Sequence, residues 1–288
     1  MQFLITGATG DVGSRVVRRL LERGERPRVF VRDTGKAREF FGDGVEVFAG
    51  DLSKPLSLEP ALKDVEALFL VTSGPEIPQR DEAAAKAAKG AGVKHLVKLS
   101  SMDVEQGLAI GAWHEQGEAA IRAVGIPFTF VRPTGFMSNL LAWGRQIKAE
   151  GVVRSSTGDG SRAFIHSDDI AAVAVEALTT TEYQGQSLAI TGPEALTFAE
   201  VTARISASIG KPLKFEVISD EEAGRRYAAA TGAPDLETEA HVALWRAIRE
   251  GKLGRVTDTV EDVLGRKPIG LDEWLEENRS AFCQAGFC

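Results

Sequence analysis

The chain has few cysteines, few tyrosines, no surplus of basic charge and no long apolar run. Of 288 residues only two are cysteine and two are tyrosine. Two cysteines exclude a disulfide framework as the basis of the fold. Cys283 and Cys288 fall in the last six residues and read as a free tail, with a redox switch as the alternative. No apolar stretch reaches the ~20 residues a membrane helix needs, and the opening "MQFLITG" lacks the basic and apolar regions of a secretory leader. A soluble, cytoplasmic protein without a membrane partner is expected. Lys and Arg number 34 against 41 Asp and Glu, for a net charge of −7, so nucleic acid is excluded as the main partner because phosphate binding needs a basic face. A small basic pocket for one phosphate group remains compatible with that balance.

What is present is a regular alternation. With 43% hydrophobic and 26% charged residues, a packed globular protein is expected. Strand-like runs at 2–6, 26–32, 45–50, 66–72, 94–101 and 128–133 alternate with helical patterns at 14–24, 56–65, 79–92 and 113–125. The strands are rich in Val, Leu, Ile and Phe without strict alternation, as strands buried on both faces are. The pattern predicts an α/β fold with a doubly wound parallel sheet. After about residue 135 the regularity loosens. Helical patterns at 198–210, 220–232 and 237–254 and a strand at 213–219 suggest a smaller C-terminal α+β lobe that holds the substrate. The expected division is a dinucleotide-binding core at 1–150 and a lobe at 151–288, with 163–192 returning to the core. Thr197 and Glu200 fit a capping box.

"LITGATGDVGSRVV" joins the first strand to the first helix. Gly7 permits the tight turn, Gly10 lets backbone approach a phosphate, and Gly13 lets the helix pack against the strand. The helix N-terminus bares N–H groups suited to a pyrophosphate. The spacing is G-x-x-G-x-x-G, and its bland alternative is a tight turn with no ligand; the strand-loop-helix context favours dinucleotide binding through Gly7, Thr9, Gly10, Asp11, Val12 and Gly13. Asp11 is awkward beside a pyrophosphate, so its side chain is expected to turn outward or bond its own backbone. The second strand ends "VFVRD". Arg32 can fork onto the 2′-phosphate of NADP(H), with Lys36 and Arg38 close behind. Asp33 can instead hold the ribose hydroxyls of NAD(H), and Arg32 can be a plain surface charge; NADP(H) is the preferred reading. Asp51 and Leu52 after the third strand, and Thr72, Ser73 and Gly74 after the fourth, fall at the edge where the cofactor lies. Ser100 and Ser101 end the fifth strand and either bond cofactor or substrate, or cap the strand.

Taken in order, "ITGATGDVGSRVV", "VFVRD", "VFAGDLSKPLSLEPALKDVEALFLVTS", "AAKGAGVKHLVKLSS", "WHEQGEAAIRAVGIPFTFVRPTGFMSNLL" and "FIHSDDIAAVAVEAL" resemble the NmrA-like group of atypical short-chain dehydrogenases/reductases. The resemblance covers residues 1 to about 265. It implies an extended Rossmann domain with a small C-terminal lobe, 2′-phosphate binding by Arg32, and nicotinamide contacts from Pro133, Thr134, Gly135 and Phe136. Asn139 matches an asparagine frequent in the group. Some members reduce quinones or triphenylmethane dyes with NADPH; others bind the dinucleotide as sensors or regulators.

Typical short-chain reductases carry Tyr-x-x-x-Lys, the tyrosine acting as proton donor. Alignment on Glu118 puts Ile110 at the tyrosine position and His114 at the lysine position, and neither Tyr183 nor Tyr227 lies in such a motif. Ketone reduction is thereby placed in doubt. A quinone or other conjugated electrophile needs little enzymic acid, and positioning alone can supply as much as ~7–11 kcal/mol. His114 is the candidate acid because its ordinary pKa suits proton transfer; four residues before Glu118, it is placed to pair with that carboxylate, or it is a boundary histidine. Met137, Asn139, Trp143 and Trp245 are assigned to the substrate pocket, each also compatible with a core role. His166, Asp168 and Asp169 suggest a metal site, but Ser167 or Asp168 as a helix cap is preferred, and neither metal nor flavin is expected. The expected function is hydride transfer from NADPH to a quinone-like acceptor by a monomer or homodimer. The rival readings are a non-catalytic NADP(H)-sensing interaction protein and small-ketone or sugar-nucleotide chemistry with His114 as acid.

Overall fold

A computed structural model describes residues 1–283. Seven parallel strands form the central sheet, in the order β3-β2-β1-β4-β5-β6-β9. The first six and their crossovers follow the chain: β1 (Phe3–Thr6), α1 (Asp11–Glu22), β2 (Arg28–Val31), α2 (Thr34–Phe41), β3 (Glu46–Ala49), α3 (Glu59–Leu62), β4 (Ala67–Val71), α4 (Ile77–Gly90), β5 (His95–Leu99), α5 (Ala109–Val124) and β6 (Phe128–Pro133). The strand order reverses between β1 and β4, which opens a crevice at the carboxyl edge.

Successive side chains divide the core. Ile5, Val29, Phe69, Val97 and Val131 pack on one face against α1. Leu4, Phe30, Leu68, Leu96 and Phe130 pack on the other with Ala84, Ala85 and Ile121 of α4 and α5. Burial on both faces is why these strands read as continuous apolar runs.

Beyond β6, a 3₁₀ turn (Met137–Trp143) leads into α6 (Gly144–Glu150), β7 (Val152–Ser155) and β8 (Ser161–Arg162). Next, α7 (Ser167–Thr179) covers the α1 face and β9 (Ser187–Ile190) pairs with β6. The remainder is β10 (Leu196–Thr197), α8 (Phe198–Ile209), β11 (Lys214–Val217), α9 (Asp220–Thr231), α10 (Asp235–Arg249), α11 (Thr259–Leu264) and α12 (Leu271–Asn278). Small sheets β10-β8 and β11-β7 and a third apolar cluster around Phe198, Val201, Ile205 and Trp274 build this part. The capping box of Thr197 and Glu200 is formed. No described helix is long and apolar enough to cross a membrane.

Three expectations need correction. The helix at 56–65 is instead a 3₁₀ turn (Pro55–Ser57) and the short α3, because Pro60 lacks the N–H that would continue a helix from 56. Helix α5 starts at Ala109 rather than near 113; the glycine that weakens the local signal, Gly111, is needed where a Cβ would stand 2.1 Å from the Asp103 carbonyl oxygen. Cys283 is buried in the C-terminal cluster and is not free; apolar neighbours draw it out of the tail. Cys288 lies outside the described residues.

Candidate active site

The glycine loop is shaped by close approach. Gly7 has φ +61°, and a Cβ there would stand 2.9 Å from the Val71 Cβ. At Gly13 a Cβ would stand 2.2 Å from the Gly7 carbonyl oxygen, so α1 rests directly on the turn. Gly10 is the N-cap of α1 and offers no side chain to the first-turn N–H groups. Those donors and the positive end of the helix dipole suit a diphosphate. Val12 points into the core, so only its backbone is available to a ligand.

Asp11 neither bonds its own backbone nor turns freely into solvent. Its carboxylate accepts from Ser167 Oγ at 2.6 Å, Ser138 Oγ at 2.7 Å and Arg15 Nε at 3.2 Å. Burial alone would raise its pKa, but the two serine hydroxyls and Arg15 outweigh this and hold it below the usual value. The charge that looked awkward beside a diphosphate is tied to the start of α7 and to the segment after β6.

A cavity of about 500 Å³ lies over the carboxyl ends of β1 to β4. Its lining brings together Gly7, Thr9, Gly10, Arg32, Asp51, Leu52, Thr72 and Ser73 from the expected set. Lys36, Ser53 and Arg80 also line it. Lys36 follows from its place one turn behind Arg32, whereas nothing in the local sequence marks Arg80. Asp33 is spent elsewhere: its side chain caps α2, accepting from the Lys36 N–H at 3.0 Å. Asp51 accepts from the Ser53 N–H at 2.9 Å; that bond, the Ser53 hydroxyl and then Arg32 and Arg80 hold its pKa down. The Thr72 hydroxyl is fixed from beneath, donating to Asp81 at 2.7 Å and accepting from Lys98 at 3.1 Å. Gly74 is outside this lining. A Cβ there would stand 3.7 Å from Glu237 Oε1, so α10 reaches over the edge of β4.

At the ends of β5 and β6 the expected ligand contacts are mostly committed to the protein. Ser100 donates to Glu118 at 2.7 Å, and Ser101 caps the following turn through the Asp103 N–H at 3.1 Å. Glu118 is fully buried and also accepts from Arg132 Nε at 2.8 Å. Pro133 completes β6, and Phe136 bridges to Ile165. Thr134 meets Arg162, whose guanidinium leaves no room for a Cβ on Gly135 and pairs with Asp103 at 3.0 Å.

His114 differs from expectation. Glu118 takes Ser100, Arg122 and Arg132, and His114 Nδ1 is buried without a partner among the described residues. Burial, and then the nearby Lys98 charge, push its pKa down to about 3. Burial and the Lys98 charge thus favour the neutral ring over an imidazolium. Met137 is 1% exposed inside the C-terminal cluster, and Asn139 is on the surface with its backbone N–H bonded to the Phe136 carbonyl; neither lines the cavity of Trp143 and Trp245. Trp143 and Trp245 do line a common cavity, of about 510 Å³, with Phe198 and Tyr227. His166 Nδ1, rather than Ser167 or Asp168, caps α7 by accepting the Asp168 N–H at 3.0 Å. Among the described residues no group of three or more His, Cys, Asp or Glu is placed to hold a metal ion.

Residues 2–275 match the model of the NmrA-like family. The chain belongs to that family. It is 42% identical over 97% of its length to the (4-alkanoyl-5-oxo-2,5-dihydrofuran-3-yl)methyl phosphate reductase of Streptomyces griseus, covering 98% of that protein. It is 37% identical over 97% of its length to the NAD(P)H azoreductase of Xenophilus azovorans, covering 98% of that one. The Citrobacter sp. triphenylmethane reductase structure matches with a TM-score of 0.87 at 26% identity, over 97% of this chain and all of that one. With membership and these relatives goes the class of activity: this NmrA-like chain is a nicotinamide-dependent reductase.

Proposed function

We propose that the chain uses NADPH to reduce a conjugated, electrophilic small molecule of quinone-like reactivity. One observation carries the cofactor preference: Arg32 and Lys36 line the cavity while Asp33 is consumed as a helix cap. The diphosphate is held at Gly7, Gly10 and the first turn of α1, the 2′-phosphate by Arg32 and Lys36, and the adenine side by Asp51 and Leu52. The missing Cβ at Gly13 is what lets α1 rest on the turn and present its N–H groups there. Bound there, the nicotinamide supplies a hydride.

The acceptor class follows from the proton balance. Ile110 stands where a tyrosine acid is expected, and His114 is neutral with its pKa near 3. A ketone reduced by hydride needs a proton on an alkoxide, but a quinone or extended enone gives a stabilised anion that water can protonate. The chain's task is then to orient the acceptor against the nicotinamide. Trp143, Phe198, Tyr227 and Trp245 offer flat apolar walls for such a ring. Two relatives named for reducing an azo compound and an unsaturated furanone are consistent with a conjugated acceptor.

The test is consumption of NADPH and of NADH against a panel of quinones, azo dyes and enones. NADPH is expected to give at least about tenfold higher kcat/KM than NADH, as expected for one charge-assisted phosphate contact. Tight NADPH binding with no turnover across the panel would overturn the reductase reading and favour a sensor.

A further inference from the structure

The cavity bounded by Trp143 and Trp245 is not uniformly apolar. Trp143 meets Phe198 with ring centroids 5.4 Å apart, and Tyr227 meets Trp245 edge-on at 5.8 Å. Three guanidinium groups, those of Arg145, Arg154 and Arg226, join this aromatic wall, against one carboxylate, that of Glu150. Two of the three are neutralised. Arg154 sits between Glu150 and Glu216, the latter at 2.8 Å, and Arg226 is held by Glu222 at 2.6 Å. Arg145, at the start of α6 next to the Trp143 turn, pairs with no carboxylate among the described residues. Arg145 is thus the one guanidinium of this wall without a carboxylate partner among the described residues.

We infer that this cavity takes a flat conjugated acceptor bearing an anionic substituent, a carboxylate, sulfonate or phosphate, and that Arg145 anchors the anion. The inference rests on the reading above that the acceptor lies against Trp143 and Trp245. The rings recognise the planar face, and the unpaired guanidinium fork recognises the anion. The unpaired Arg145 charge disfavours a cationic ring of the same shape, so charge rather than size separates acceptors. The cavity lies between α6 and the α9–α10 pair, and the same α10 carries Glu237 to Gly74 at the end of β4.

The experiment compares naphthoquinone sulfonate with unsulfonated naphthoquinone in wild type, Arg145→Gln and Arg145→Lys. Arg145→Gln is expected to raise the KM of the sulfonated quinone relative to the unsulfonated one by about tenfold. Arg145→Lys, which keeps the charge without the fork, should recover part of that ratio, and the Kd for NADPH should not move. An unchanged ratio, or wild-type preference for a cationic dye, overturns the inference. A second arm is independent of turnover: naphthalene sulfonate is titrated against the fluorescence of Trp143 and Trp245. Quenching that weakens about tenfold in Arg145→Gln supports the site even if no quinone is reduced, and quenching absent or indifferent to the substitution overturns it.

Discussion

The Gly13 Cα lies directly beneath the Gly7 carbonyl, so that a Cβ on Gly13 would stand 2.2 Å from the carbonyl oxygen and 2.7 Å from its carbon. Both obstructing atoms are backbone and cannot swing aside. Gly13→Ala must therefore lift α1 from the turn and displace the first-turn N–H groups together. NADPH affinity should fall by tenfold or more, the equivalent of about 1.4 kcal/mol, and the thermal midpoint should drop. Gly90→Ala in α4 is the control, because nothing lies within 4 Å of a Cβ there; it should bind NADPH normally and be as stable or slightly more so. Equal titrations for Gly13→Ala and wild type would remove the loop from the cofactor site.

Arg32, just past the end of β2, and Lys36, in the first turn of α2, line the same cavity. Replacing Arg32 by Ala removes a charge-assisted phosphate contact of about 1.5–3 kcal/mol, so Kd for NADPH should rise roughly 10- to 100-fold. NADH, lacking the 2′-phosphate, should be affected far less. Titration of both nucleotides by fluorescence decides the matter, and a parallel loss for the two would mean that Arg32 does not read the phosphate.

How far these features were legible in the sequence depends on their range. The glycine loop, the parallel sheet and the capping box of Thr197 and Glu200 are local, and local backbone requirements leave residue types at fixed spacing. Asp33 and Arg32 are adjacent, and sequence leaves either as the ribose contact; only the start of α2 at Thr34 turns Asp33 into a cap. The commitments of Ser100 to Glu118 and of Asp11 to Ser167 span 18 and 156 residues, and no periodicity encodes such partners. The downward pKa shift of His114 was illegible for the same reason: it is set by burial and by Lys98 on another element. The Trp143 and Trp245 cavity was anticipated as two aromatics, but Arg145 gains its meaning only because its neighbours Arg154 and Arg226 are paired and it is not.

Beneath Thr72, Lys98 on β5 and Asp81 on α4 form an ion pair at 2.6 Å with both side chains fully buried. Removing one partner leaves an uncompensated buried charge. Lys98→Met should destabilise the fold by about 3–5 kcal/mol, seen as a lower urea midpoint, and should weaken cofactor binding through the loosened Thr72. Replacing both, Lys98→Met with Asp81→Leu, should recover most of the stability, because the desolvation cost of the pair is removed with it. Recovery of stability without recovery of binding would separate the fold's need for the pair from the cavity's need for a fixed Thr72 hydroxyl.

Two buried histidines give the stability an acid limb above the range in which carboxylates titrate. Burial pushes the pKa of His95 down from 6.5 to about 4, and burial with the Lys98 charge pushes His114 from 6.5 to about 3. The His95 ring reaches the Thr129 hydroxyl at 2.9 Å, and that hydroxyl donates onward to the Tyr183 carbonyl, so Nε2 is the donor, while burial disfavours the charged ring. Below pH 6.5 the unfolded chain takes up protons at these positions that the native state refuses. The unfolded state then binds more protons, so stability rises with pH and is lost as pH falls from about 6.5 towards 4. The expected loss approaches about 1.4 kcal/mol per pH unit for each ring, read from urea midpoints across that window. His114→Leu and His95→Gln should each flatten the slope, and the first should also raise stability at neutral pH by removing the unpartnered Nδ1. A wild-type midpoint that stays level from neutral pH to about pH 4 would show that neither ring is held neutral by the fold.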